Sequence, residues 1–247
     1  MGLMDIPELF LKLWGLWPIN TLETPLKRKI YLVYRVTVIG WYSAFNFSYF
    51  IGSLRIIIDQ EPFERISKCL SVFVSIGLLL WKGVIYLRND IAQICIQVRD
   101  AETPLRSSSD QKVKVAYRRT EVSNKYLNIY IIGSTFSTLV AYAGVSCIEV
   151  YNTGPDYWKM DNVSFMHEIY LPIDKLKWRW WIMVANIATA CESVVVNIAV
   201  QSSFCTLVMY GSLRLEVLRI GMQRFHHSPC GGGNMKSFVM EHLDTIR

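Results

Sequence analysis

The sequence predicts an all-α, polytopic membrane helix bundle. Three observations carry that expectation. Four long runs lack charge or nearly so, the longest being residues 180–213, where Glu192 is the only charged side chain. The chain is 52% hydrophobic and 19% charged, against roughly 25% charged in an average soluble domain. The basic residues, which set the net charge of +6, lie between the apolar runs rather than in one aromatic-studded patch, which argues against nucleic acid as a partner.

Residues 1–35 form the first segment. Lys12 interrupts its short apolar core, so it does not read as a secretory signal. Trp14 and Trp17 beside that lysine predict a segment lying at the membrane interface. Thr24-Pro25 reads as a helix cap with proline in the first turn. Residues 36–54 are uncharged and are expected to form span one; 66–87 form span two, with Lys68 and Lys82 snorkelling from its ends. Residues 88–125 are then a cytoplasmic loop and helix. Ile91, Ile94, Cys95 and Val98 recur at helical spacing, Thr103 to Asp110 reads as a loop, and Asp110 caps a basic helix that runs into span three.

Span three is residues 126–148, with no charge in it. An acidic, aromatic connection, 149–179, leads to span four, 180–213, and to a tail, 214–247, where Gly231, Gly232 and Gly233 read as a flexible joint. A hydrocarbon core of about 30 Å needs about 20 residues of helix, so span four is long enough to cross and protrude. Asn186, Ser193, Asn197 and Gln201 share one face of it, and that stripe is expected to face protein, because polar groups in hydrocarbon need partners.

Lysine and arginine set the orientation. Eighteen fall before span one, between spans two and three, and after span four; seven fall in the two connections on the other side. The positive side is cytoplasmic, so both ends are expected inside, and Asn162, in an Asn-Val-Ser acceptor, is expected to be glycosylated outside. The six cysteines show no CxxC pair; buried thiols are expected, with a Cys69–Cys147 disulfide as the alternative. No HExxH or HxxxH spacing occurs, and His167 is assigned to the opposite side from His226, His227 and His242. The expectation is therefore no enzyme, no catalytic residue, no metal and no cofactor. A transporter would show Gly/Pro-broken repeated spans, which are absent, and a G-protein-coupled receptor would place its N-terminus outside.

The segment Phe10 to Pro18, with Gly15-Leu16-Trp17-Pro18 at its core, resembles the N-terminal signature of insect odorant receptors. Tyr210 to Leu218 is similar to that family's segment at the end of span four, and Glu241-His242-Leu243 resembles the stretch leading into its fifth span. The resemblance implies seven spans with the N-terminus cytoplasmic, of which this chain would hold four, as a partial product that stops before the pore-forming helix. It implies a plasma-membrane, odorant-gated, non-selective cation channel that acts as a hetero-tetramer with a conserved co-receptor and takes small volatile odorants in a pocket among the helices. A gustatory-type receptor of the same superfamily, or an unrelated membrane transporter fragment, is the alternative. Geometry within the expected topology selects candidate pocket positions in the outer half of the bilayer: Val72, Phe73 and Ile76 on span two; Ala141, Tyr142 and Val145 on span three; Met183, Ile187 and Glu192 on span four. A carboxylate inside a span is costly to bury unpaired, which singles out Glu192.

Overall fold

The computed structural model describes residues 2–21, 24–60, 62–153 and 177–227. Every regular element among these is helical: α1 (Asp5–Leu13), a 3-10 turn (Ile19–Thr21), α2 (Pro25–Ile58), α3 (Phe63–Arg88), α4 (Ile91–Arg106), α5 (Gln111–Thr153) and α6 (Arg179–His227). Three of them contain stretches long and apolar enough to cross a membrane: Cys69–Arg88, Gln111–Val145 and Trp180–Gln223. Residues 36–54 of α2 are not a fourth by that measure. Trp, Tyr, Ser and Asn occupy much of the stretch and dilute its apolar character.

Local chemistry accounts for the helix ends. The Thr24 hydroxyl accepts from the Lys27 N–H at 3.3 Å with Pro25 at the first helical position, and the Asp110 carboxylate accepts from the Lys112 N–H at 2.9 Å. Gln60 and Asp90, at φ 54° and 49°, make the turns after α2 and α3. Residues Thr103 to Arg106, expected in a loop, instead form the last turn of α4. Pro104 is tolerated there because the hydrogen bond it forfeits belongs to the carbonyl of Asp100, an exposed residue. The loop is only Ser107–Asp110.

Lateral hydrogen bonds fix the register of the long helices. The hydroxyls of Tyr42 (α2) and Ser193 (α6) are 3.0 Å apart; Tyr86 (α3) donates to the Val200 carbonyl at 2.9 Å and meets Ser203; Thr206 (α6) donates to the Asn124 side chain (α5) at 2.9 Å. Stepping along each helix at about 1.5 Å per residue brings Lys29, Arg88 and Lys125 within one turn of the height of Thr206. One end of the bundle thus has a basic level contributed by three helices. Beyond it α4 and the start of α5 pack with the end of α6, through Leu105, Val113, Ala116, Leu213 and Ile220.

The N-terminal segment is the main departure from expectation. It does not lie along an interface but wedges into the bundle: Leu11 is 0% exposed, Trp14 1% and Trp17 2%. Leu3 meets the side chain of Asn124 at the basic level, while Phe10 packs with Ile131, Val194 and Ile198, about 10 Å further in. A chain that turns back inside a bundle must find partners for its carbonyls. Here the end of α1 is a Schellman cap: Gly15, at φ +78°, sends its N–H to Lys12, and Leu16 sends its own to Leu11 at 2.8 Å. The exposed carbonyls go to α2. Tyr31 donates to Lys12, Tyr34 to Leu13, and Arg35 to both Gly15 and Trp17. Arg35 is thus a structural clamp on the N-terminal turn.

Candidate ligand site in the half of the bundle away from the basic level

From the Tyr42–Ser193 contact, seven residues along antiparallel α2 and α6 bring Tyr49 and Asn186 to one height, two turns away from the basic level. Tyr142 on α5 is close enough to Tyr49 to interact with it electrostatically. Phe45, Tyr49 and Phe50 present the aromatic face of α2 to α3, where Phe50 and Phe73 rings lie 5.5 Å apart and Val72, Phe73 and Ile76 pack into the same cluster. The Ser53 hydroxyl and the Cys69 sulfur, 3.3 Å apart, join α2 to α3 still further from the basic level. No disulfide links Cys69 to Cys147, which is exposed; none of the described cysteines is in a disulfide.

Eight of the nine sequence-selected positions fall into two groups. Val72, Phe73 and Ile76 lie together in the α2–α3 contact. Ala141, Tyr142, Val145 and Ile187 are exposed, and Met183 is half-buried. Glu192 stands apart from both, half-buried beside the Tyr42–Ser193 bridge, and interacts electrostatically with Tyr34 and Tyr42 of α2. Its Oε1 is buried and has no hydrogen-bond partner among the described residues. Asn162, His167, His242, Cys230, the three glycines 231–233 and the segment 241–243 lie outside the described residues.

Asn186 belongs to the polar stripe and is not among the nine sequence-selected positions. It is 1% exposed, and neither its side-chain oxygen nor its nitrogen has a hydrogen-bond partner among the described residues. Leaving such an amide unpaired in an apolar setting costs about 1–3 kcal/mol. The rest of the stripe is satisfied. Ser193 bonds Thr189 and Tyr42, and Gln201 donates to Asn197 at 3.0 Å. Gln201 faces outward because, at 100° per residue, the stripe drifts by about 60° between Asn186 and Gln201.

In chemical terms this half offers an apolar, aromatic surface with both polar atoms of the Asn186 amide unpaired among the described residues, and with unpaired acceptors on Asn46 and Glu192 nearer the Tyr42–Ser193 contact. No group of three or more His, Cys, Asp or Glu residues able to hold a metal occurs among the described residues. No protein-family model and no curated protein matches this chain.

Proposed function

We propose that this chain is an odorant receptor subunit: a multi-pass plasma-membrane protein with a cytoplasmic N-terminus, crossing four times within these residues, with α2 as the first crossing. The subunit binds a small volatile molecule in the outer half of the bundle and gates a cation pathway built together with a conserved co-receptor. Ligand favours the open state by its greater affinity for that state. The observation that supports this most is the Asn186 amide, buried and unpaired at the height of Tyr49 and Tyr142. A small ester, ketone or alcohol would lay its carbon chain on the aromatics and give its single polar group to Asn186. The Gly15-Leu16-Trp17-Pro18 resemblance supports the family reading, and the basic level at one end of the bundle supports the orientation.

Whole-cell recording from cells expressing the complete gene product with the co-receptor tests the reading. An odorant-evoked cation current that survives block of G-protein signalling is the expected result; silence across a broad odorant panel, with the receptor at the surface, refutes it. Topology is tested separately: an epitope at the N-terminus accessible on intact cells, or Asn162 insensitive to glycosidase, overturns the orientation.

A further inference from the structure

A cavity of about 270 Å³ opens beside the first turn of the chain, between Gly2 and Ile6 on one side and Arg118, Val122 and Lys125 of α5 on the other. It lies at the basic level, since Asn124, in its wall, holds the Leu3 carbonyl and accepts from Thr206. The Asn124 side chain is thus spent inside the protein, and the cations are left to recognise a ligand. Arg118 and Lys125 are both exposed and, seven residues apart, share one helix face with Glu121 between them; the Asp5 and Glu102 carboxylates lie on the Gly2 side, so the positive charge is confined to the α5 rim. From the mouth of the cavity Val122, Tyr126 and Ile129, exposed at 46%, 69% and 51%, run along one face of α5 into its uncharged stretch.

A pocket with cations at its rim and an apolar track leading from it into the membrane matches an amphiphile with an anionic head. Its volume is below the roughly 300 Å³ at which drug-sized pockets begin, enough for a headgroup and not for a whole lipid. We propose that this cavity holds the phosphate-bearing headgroup of an anionic phospholipid from the leaflet on the basic side, with Arg118 and Lys125 on the phosphate and the acyl chains along Val122, Tyr126 and Ile129. The bound lipid fastens the N-terminal wedge to α5.

The test is native mass spectrometry of the whole chain in detergent, titrated with dioleoyl phosphatidylserine or dioleoyl phosphatidylcholine. A juxtamembrane cation gains about 1 kcal/mol on an anionic surface, roughly fivefold in affinity. The Arg118→Gln/Lys125→Gln variant should therefore lose phosphatidylserine by about tenfold or more. Val122→Trp, which fills the cavity without changing charge, should lose it too. Lys112→Gln/Arg119→Gln, which removes the same charge from α5 outside the cavity, should keep it. Equal loss in the two charge variants, or no preference for phosphatidylserine over phosphatidylcholine, overturns the proposal. Displacement of the lipid by millimolar inorganic phosphate also overturns it, assigning the site to a soluble anion. Circular dichroism confirms that each variant retains its helix content, so a loss of lipid reports the site and not the fold.

Discussion

Gly15→Ala tests the turn on which the N-terminal wedge depends. Gly15 sits at φ +78°, and an added Cβ would lie 3.1 Å from the Arg35 Cα, a backbone atom of α2 that cannot swing aside. The left-handed conformation alone costs a residue with a side chain about 1–2 kcal/mol. Crowding against α2 adds to this, while the stiffer unfolded chain returns about 0.4–1 kcal/mol. The net loss is about 1–2 kcal/mol. Gly211→Ala is the internal comparison: Gly211 is helical with nothing within 4 Å of its added Cβ, so alanine there should stabilise by about 0.5–1 kcal/mol. At about 2–4 °C per kcal/mol for a chain of this size, the first variant should melt about 2–8 °C lower and the second slightly higher. Intrinsic tryptophan fluorescence during thermal unfolding in detergent reads both, because Trp14 and Trp17 are buried by this turn. If Gly15→Ala behaves like Gly211→Ala, the wedge is not held as described.

Other substitutions probe separate contacts. A Cβ at Gly83 would lie 2.3 Å from two atoms of the Trp14 ring, so Gly83→Ala should cost about 1–3 kcal/mol, and a double-mutant cycle should show the cost vanish beside Trp14→Ala. Thr206→Val removes the donor to Asn124 and should cost about 1–2 kcal/mol by the same melts; a neutral result would mean the α5–α6 register has other support. Burial pushes the Glu102 carboxyl above the ordinary range, against the lowering effect of its hydrogen bond from the Leu3 N–H, with Asp5 and Glu121 raising it further and Arg106 opposing. The folded state holds that proton more tightly, so this contribution is full below about pH 4.3 and fades as pH rises through the folded value. Melting of Glu102→Gln against the parent from pH 4 to 7 should show the parent losing ground as pH rises; a pH-independent gap refutes the assignment. Asn186→Leu should raise the melting temperature of the unliganded protein, since an amide with no partner is replaced by an apolar side chain, while lowering the response to odorants that carry a polar group.

The long helices were legible because a bilayer imposes a length and an absence of charge that composition alone reveals. Residues 126–148 and 180–213 carry that signal, and the caps at Thr24 and Asp110 follow from side-chain chemistry within a few residues. The destination of the N-terminal segment was not legible by the same means. A short helix with an apolar face needs that face covered, and lipid and protein cover it equally well. What selects protein is remote in sequence: Tyr31, Tyr34 and Arg35, up to 21 residues away, which receive the carbonyls of the turn, and Gly83, which leaves room for the Trp14 ring. Gly15 was visible as part of a motif, but its reason, a left-handed residue against the backbone of α2, needs two helices in place.

The candidate site shows the same division. Depth within the expected topology selects Val72, Phe73 and Ile76 on α3, and the three lie in one cluster. The α2 rings that share this cluster, Tyr42, Phe45 and Tyr49, lie three and then four residues apart, a helical spacing open to periodic reading. Their aromatic and hydroxyl content reads as weak hydropathy, which hides their character as a lining. Asn186 and Glu192 differ in a way that no single helix reveals. Both are polar groups in an apolar run, and rotation at 100° per residue separates their faces by about 120°. Only the Tyr42–Ser193 contact, by fixing which face of α6 meets α2, shows that Glu192 stands beside Tyr42 while Asn186 is buried two turns further from the basic level. A charge within a span attracts attention because its cost is evident from sequence; an amide buried without a partner is the stronger pointer to a ligand, and its lack of a partner becomes visible only when all its neighbours are in place.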